Sequence, residues 1–237
     1  MATNAYEKPE FDLGERISEH QRSPNDGIGF AYVIYERRAR NGPSSWVIAY
    51  RGTENDKDPL IDWVQGNLLG RQNARGLKVY RDLRAKVGKD AVISVTGHSL
   101  GGGIATYVSL CEVGVNSYIF NSSPRFWRCS RKWIKNMRYS IVETGEILRI
   151  ARGPLAEATQ RYTQLNCART GNSIDQHDVG GLARCLTDIA AWGDEDAKAS
   201  LSRNGFPWPT AVKDDVVAAR RKACPPRPQG VGEALPL

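Results

Sequence analysis

Val92-Ile93-Ser94-Val95-Thr96-Gly97-His98-Ser99-Leu100-Gly101-Gly102-Gly103-Ile104-Ala105 is the stretch from which the rest of the chain is read. Its β-branched start predicts a buried strand, and the small and apolar residues after Leu100 predict a helix. Strand, glycine-bounded serine and helix, in that order, form the context of a G-x-S-x-G nucleophile elbow. The residue types follow from the geometry. A serine on so sharp a turn has strained backbone angles, and strand and helix must pass each other closely on either side of it. The helix that follows points its first N–H groups at an anion forming on a bound substrate. The bland alternative is an ordinary glycine-rich strand-to-helix turn in a chain with 23 glycines. The flanking elements favour the elbow.

Length and composition agree with one large α/β domain. The chain has 237 residues, of which 41% are hydrophobic and 25% charged, as in soluble globular proteins. No apolar run approaches the roughly twenty residues needed to span a bilayer. Met1-Ala2-Thr3-Asn4-Ala5-Tyr6-Glu7-Lys8 has neither the basic start nor the apolar core of a signal peptide, which predicts a cytoplasmic protein or one exported without such a peptide. Cys111, Cys129, Cys167, Cys185 and Cys224 are widely spaced and show no metal-binding pattern. They read as buried or free thiols, with a single disulfide as the alternative. Neither a metal nor a cofactor is expected.

Working outward from the elbow, apolar spacing predicts a helix over 77–87 and strands over 116–120 and 138–142. Upstream, 28–35 and 46–50 read as an antiparallel hairpin around Asn41-Gly42-Pro43, and 11–20 as a helix. Strands separated by helices imply a mainly parallel central sheet with helices on both faces and a site at the carboxyl ends of its strands. The expected domain covers 1–195. Residues 196–237 read as a Pro-rich, partly disordered extension, with a short helical candidate over 212–223.

A serine hydroxyl needs a base to act as a nucleophile at neutral pH. There are three histidines. His98 flanks the serine within the elbow and should project away from it, supporting the turn; His20 reads as a surface residue of the first segment. His177 follows the nucleophile in the chain order of α/β-hydrolases and precedes a helical pattern, Val179-Gly180-Gly181-Leu182-Ala183, so it is the candidate base. The acid that orients it must be a glutamate if it comes from between them, because residues 91–174 contain no aspartate. Glu112 lies on the helix leaving the elbow. Glu146 stands ahead of Glu143, both just past a strand, and Glu157, Asp175 and Asp178 come next. The oxyanion hole needs the N–H of Leu100 and one from a second loop; Tyr50-Arg51-Gly52-Thr53-Glu54 supplies that loop, with Thr53 as donor.

These segments together resemble the class 3 (triacylglycerol) lipase family. Ala49-Tyr50-Arg51-Gly52-Thr53-Glu54 is similar to its F-R-G-[ST] oxyanion strand, Asp62-Trp63-Val64 to its [ND]-W segment, and Gly97-His98-Ser99-Leu100-Gly101-Gly102 to its G-H-S-L-G-G elbow. Asn121-Ser122-Ser123-Pro124-Arg125-Phe126 resembles its P-R-[VF] element, and Val142-Glu143-Thr144-Gly145-Glu146-Ile147-Leu148 its N-x-x-D-x-V stretch, which implies Glu146 as the acid. The resemblance runs from about 28 to 187 and implies an α/β-hydrolase fold and a Ser99–His177–Glu146 triad working through an acyl-enzyme. Glu in place of Asp, Tyr50 in place of Phe, and the missing signal and disulfide set of the fungal enzymes favour a bacterial-type intracellular or effector-like lipolytic enzyme, with a bacterial phospholipase branch among the candidates.

By the same resemblance residues 58–69 occupy the place of a lid, although their pattern fits a core helix equally well. The net charge of +7 is concentrated: residues 122–153 hold eight basic and two acidic residues, interleaved with Trp127, Trp133, Ile134 and Met137. Arg128, Arg131, Lys132 and Lys135 are candidates for contact with anionic lipid, each cation contributing about 1 kcal/mol near such a surface. A solvated helix face accounts for the same charge. No nucleic-acid recognition motif accompanies it. The expected partner is a lipid or phospholipid ester, with peripheral contact to an anionic membrane. A non-catalytic α/β-hydrolase-fold module binding lipid or protein is the alternative.

Overall fold

The computed structural model describes residues 1–6, 11–23, 29–52, 66–124, 129, 135–148, 160–167 and 175–208. Its centre is one seven-stranded sheet with strands in sequential order: β1 (Ile17–Arg22), β2 (Tyr32–Arg37), β3 (Ser45–Tyr50), β4 (Val92–His98), β5 (Val115–Phe120), β6 (Arg138–Glu143) and β7 (Arg161–Leu165). The first three pair antiparallel, and β3 through β7 run parallel. Among the described residues four α-helices accompany them: α1 (Gly66–Val87), α2 (Leu100–Cys111), α3 (Val179–Ala190) and α4 (Glu195–Arg203). The fold is that of an α/β-hydrolase.

Side-chain alternation along the strands divides the interior. Ile34, Ile48, Tyr50, Ile93, Val95, Val115 and Ile119 face α1 and α2, packing against Tyr80, Leu83, Ile104 and Val108. Val33, Tyr35 and Ala49 point to the opposite face, where Ala5 and Leu13 of the N-terminal segment cover them. The two helices approach closely because Gly76 leaves room for Ile104; a Cβ there would overlap the Ile104 side chain. Tyr50, wholly buried where the lipase pattern has Phe, donates its hydroxyl to the Gly76 carbonyl at 2.7 Å. Burial pushes this phenol well above its ordinary pKa, so it stays a neutral donor.

Several expectations are corrected. Residues 17–20, read as the end of a helix, belong with Gln21 and Arg22 to edge strand β1, whose register slips between Glu19 and Gln21. Strand β7 has no counterpart in the reading of the sequence: Arg161-Tyr162-Thr163-Gln164-Leu165 is mostly polar because it is the other edge. The first hairpin strand runs over Tyr32–Arg37 rather than from 28, and the helix expected over 77–87 is α1, 22 residues long, which takes in Gly66, Asn67, Leu68 and Leu69 of the lid-like segment. The rest of that segment lies outside the described residues. Residues 196–208, assigned from sequence to the extension, pack on the domain. Asp194 caps α4 at the Ala197 N–H (3.0 Å), Arg16 pairs with Asp196 (2.6 Å), and Phe206 lies 5.7 Å from Phe11. Residues 209–237 lie outside the described residues.

The cysteines are also corrected. Cys111 joins Cys129 and Cys167 joins Cys185, each across a separation of 18 residues. Pairing is set by topology, which puts the end of α2 near residue 129 and α3 beside the exit of β7; spacing along the chain carries no trace of this. Of the basic stretch, Arg138 faces inward, 1% exposed, and donates to the Ser109 carbonyl at 3.2 Å, whereas Lys135 is exposed. Arg128, Arg131 and Lys132 lie outside the described residues. No helix among the described residues is long and apolar enough to cross a membrane.

Closing a loop of this size stabilises a fold by about 3 kcal/mol. Replacing the Cys167–Cys185 pair by serines is expected to cost about that much in urea unfolding, and dithiothreitol should lower the melting temperature of the unaltered protein; an unchanged midpoint in both experiments would mean that the bridge does not form.

Candidate active site

The elbow is held by close approach. Ser99 has φ 54° and ψ −123°, a left-handed conformation a non-glycine residue adopts only under constraint. A Cβ on Gly97 would overlap the Gly101 backbone, and one on Gly101 would overlap the Tyr50 carbonyl. A Cβ on Gly102 would come within 2.6 Å of that of Ser122. The turn is also clamped by hydrogen bonds. The Ser99 N–H donates to Phe120 (3.1 Å), and the Ser99 carbonyl accepts from Ser123 (2.9 Å) and Gly103 (3.3 Å). Leu100 opens α2, so its N–H belongs to the first, unpaired turn of a 12-residue helix. Gly52 faces this turn; a Cβ on it would sit 3.3 Å from the Ser99 Cβ. Thr53 lies outside the described residues.

His177 ends a short 3₁₀ turn, Asp175–His177, directly before α3. Its Nδ1 lies 2.8 Å from Glu146 Oε2, with the histidine side chain 14% exposed and the glutamate fully buried. Carboxylate oxygens accept, so Nδ1 carries the proton and Nε2 is the basic nitrogen of the neutral ring. Glu146 Oε2 also accepts from the Leu148 N–H at 2.9 Å, which fixes the carboxylate's orientation. Glu143 is turned elsewhere: its side chain accepts from the Cys167 N–H at 2.6 Å. Of the two glutamates weighed from sequence, Glu146 is therefore the one at His177. Asp178 is occupied as the N-cap of α3, accepting from the Gly181 N–H. Glu157 lies outside the described residues. Glu112 pairs with Arg81 (2.7 Å), and exposed His20 lies edge-on to Trp46.

Two groups not assigned to the base loop from sequence hold it. Asn121, fully buried with φ 40°, accepts from the Glu143 N–H at 2.7 Å and donates to the Gln176 carbonyl at 3.3 Å. His98 reaches the His177 carbonyl with Nε2 at 2.8 Å, and the two imidazole centroids are 4.6 Å apart. His98 therefore projects to the face of β4 opposite Gly97 and α2. Asn121 sits where the P-R-like element begins, but nothing in its local sequence shows which carbonyl it will meet.

The family description phospholipase-like, Tle-like phospholipase domain, matches residues 7–125, half of the chain. The chain belongs to the Tle-like phospholipase family. The matched residues run from the N-terminal segment through the elbow; Glu146 and His177 lie beyond them. Among solved structures the chain is similar to the lipase of Rhizopus microsporus var. chinensis, at 14% identity and TM-score 0.44 over 63% of this chain and 62% of that one. It is likewise similar to the Lip2 lipase of Yarrowia lipolytica, at 16% identity and TM-score 0.38 over 56% of this chain and 61% of that one. The Tle-like chain thus spans less than two thirds of either lipase. No curated protein sequence matches it.

Gly101→Ala tests the close approach at the elbow. A methyl group driven against the Tyr50 carbonyl is expected to cost about 2–3 kcal/mol, read as a lowered urea midpoint with β3 and α2 forced apart; a midpoint equal to wild type would show that the turn has slack.

Proposed function

We propose that the chain is a lipid ester hydrolase that cleaves phospholipid through a covalent acyl-enzyme on Ser99. The observation that carries the reading is the Glu146–His177 pair, 2.8 Å apart and shielded from water, on a loop held against the residue next to a strained serine. A charged carboxylate fixes the imidazole with Nδ1–H inward and stabilises the imidazolium that forms when the ring takes a proton.

The sequence of events follows from the groups present. His177 Nε2 removes the Ser99 hydroxyl proton as Oγ attacks the ester carbonyl. The tetrahedral oxyanion is met by the Leu100 N–H at the start of α2 and by Thr53 from the loop after β3. Collapse expels the alcohol, protonated by His177. Water, activated by the same imidazole, then releases the fatty acid and restores Ser99. The Tle-like phospholipase match supports a phospholipid over a neutral ester. Lys135, with Arg128, Arg131 and Lys132, is proposed to meet the anionic headgroups of the surface. The two disulfides favour, of the locations expected from sequence, the exported one, because thiols in a reducing cytosol do not stay paired.

Ser99→Ala and His177→Ala are each expected to lower hydrolysis of p-nitrophenyl butyrate at least about a thousandfold, since nucleophile and base act as a unit. Labelling by a fluorophosphonate probe should disappear with Ser99. Glu146→Gln should cost about a thousandfold or more, and Glu143→Gln far less. Wild-type turnover in Ser99→Ala would remove the nucleophile assignment, and no probe labelling of the unaltered protein would leave a lipid-binding module.

On the substrate side, release of fatty acid from phosphatidylglycerol vesicles should fall steeply as salt rises, since attraction is screened over about 8 Å at physiological ionic strength. Reversing Arg128, Arg131, Lys132 and Lys135 to glutamate should lower that activity while sparing the soluble ester. Equal activity on both substrates would remove the headgroup role.

A further inference from the structure

The elbow histidine has two ring nitrogens with different partners. Nε2 of His98 faces the main-chain carbonyl of His177 at 2.8 Å, and Nδ1 faces the hydroxyl of Tyr6 at 3.0 Å. A carbonyl can only accept, so Nε2 must carry a proton. In the neutral ring Nδ1 is then an acceptor, and Tyr6 must donate to it. The three groups form one directed chain: Tyr6 O–H to His98 Nδ1, and His98 Nε2–H to His177 C=O.

Tyr6 is not incidental to this arrangement. It lies one residue before the family match and is brought to the site by the packed N-terminal segment, in which residues 2–5 are buried. Arg22 on β1 donates to the carbonyls of both Asn4 (3.1 Å) and Tyr6 (3.2 Å), tying the segment to the sheet. A Cβ on Gly52 would meet the Tyr6 hydroxyl and the His98 carbonyl at 2.8 Å each and the Ser99 Cβ at 3.3 Å. The hydroxyl therefore sits immediately behind the serine turn.

We infer that Tyr6 and His98 form a positioning relay for the base: the His177 carbonyl fixes His98 as the Nε2–H tautomer, and Tyr6, donating to Nδ1, fixes the rotation of the ring that presents this N–H to His177. The inference rests on the Ser99–His177 reading of the site. Its physical content is that ring orientation and base position are linked. Without the Tyr6 hydroxyl, Nδ1 loses its donor and the His98 ring is free to turn, so that Nε2–H no longer meets the His177 carbonyl in one fixed place. The base loop then shifts, and a displacement of the order of 1 Å at a reacting group can cost about a hundredfold in rate. The carbonyl also belongs to the residue whose ring must become an imidazolium, and a neutral His98 at 4.6 Å permits this where a cationic one would oppose it.

The test is a double-mutant cycle read on the soluble ester p-nitrophenyl butyrate. A glutamine at 98 keeps an amide donor near the Nε2 position and has no counterpart of Nδ1, so it should bypass Tyr6. Tyr6→Phe in the unaltered background is expected to lower kcat about tenfold, with KM within about twofold. His98→Leu should lose about a hundredfold. His98→Gln should recover to within about fivefold of wild type, and adding Tyr6→Phe to His98→Gln should change kcat less than twofold.

If Tyr6→Phe costs the same in both backgrounds, Tyr6 only packs the N-terminal segment and the relay is overturned. Wild-type kcat in Tyr6→Phe overturns it as well. Ser99→Ala, run alongside, separates the two levels: a dead Ser99→Ala with an unaffected Tyr6→Phe removes the relay alone, whereas an active Ser99→Ala removes the site reading beneath it. Should His98→Leu fail to fold, the Tyr6→Phe and His98→Gln cycle still decides.

Discussion

The contact between the carboxyl ends of β3 and β4 and the start of α2 is the constraint on which the remaining structure depends. Gly97, Gly101 and Gly102 bring backbone against backbone with no space for side chains, and the carbonyl of Tyr50 sits where a Cβ of Gly101 would be. Once strand and helix pass this closely, the intervening serine has no relaxed conformation left and takes φ 54°. The cost of such a residue, about 1–3 kcal/mol, persists only if the surroundings over-determine it. Here they do: the clamps from Phe120, Ser123 and Gly103 on Ser99 belong to β5, the loop after it and α2. The same constraint sends His98 to the far face of β4, where the N-terminal segment and the base loop meet it.

What could be read from the sequence, and what could not, follows from how each feature is encoded. The elbow, its strand and its helix are local: β-branched residues, glycines and a helix start in fourteen consecutive positions. The parallel centre of the sheet was legible for the same reason, because buried strands are written in continuous apolar residues. The two edges were not. β1 carries Ser18, Glu19, His20 and Gln21, and β7 carries Arg161, Thr163 and Gln164. Polar edges discourage pairing with other chains, and that composition erases the signal by which a strand is recognised. The disulfides were hidden by a different cause, since partners 18 residues apart are chosen by where α2, α3 and β7 end.

Residues 143–146 show both causes acting within four positions. One glutamate ends β6 and the other lies just past it, and composition does not separate them. Backbone geometry does. Glu143 is the last residue of β6, registered against Leu165, so its side chain stays with the sheet and meets the Cys167 amide two residues past that neighbour. Gly145 then takes φ 85° beside Gln176, turning the chain before Glu146. A side chain at Gly145 would strike Gln176, the residue before the base. Glu146 thus reaches His177 because a left-handed glycine separates it from the strand. Elimination among carboxylates narrows the choice to this turn and the family resemblance points to Glu146; the turn's handedness is the physical reason that its two glutamates part.

The base loop is the converse case, a position encoded almost entirely at long range. His177 is named by its rarity among three histidines, yet nothing near it in sequence orients it. Its side chain is held by Glu146, 31 residues away; its carbonyl by His98, 79 residues away; the preceding carbonyl by Asn121, 55 residues away. The disulfide at Cys185 ties the helix that follows to the exit of β7. Four attachments from four different segments leave the loop few ways to move independently of the sheet's carboxyl edge. His177, fixed on the same edge as the elbow, shares its displacements with Ser99. A small rearrangement of the sheet then carries Ser99 and His177 together, whereas loss of any one attachment moves His177 alone.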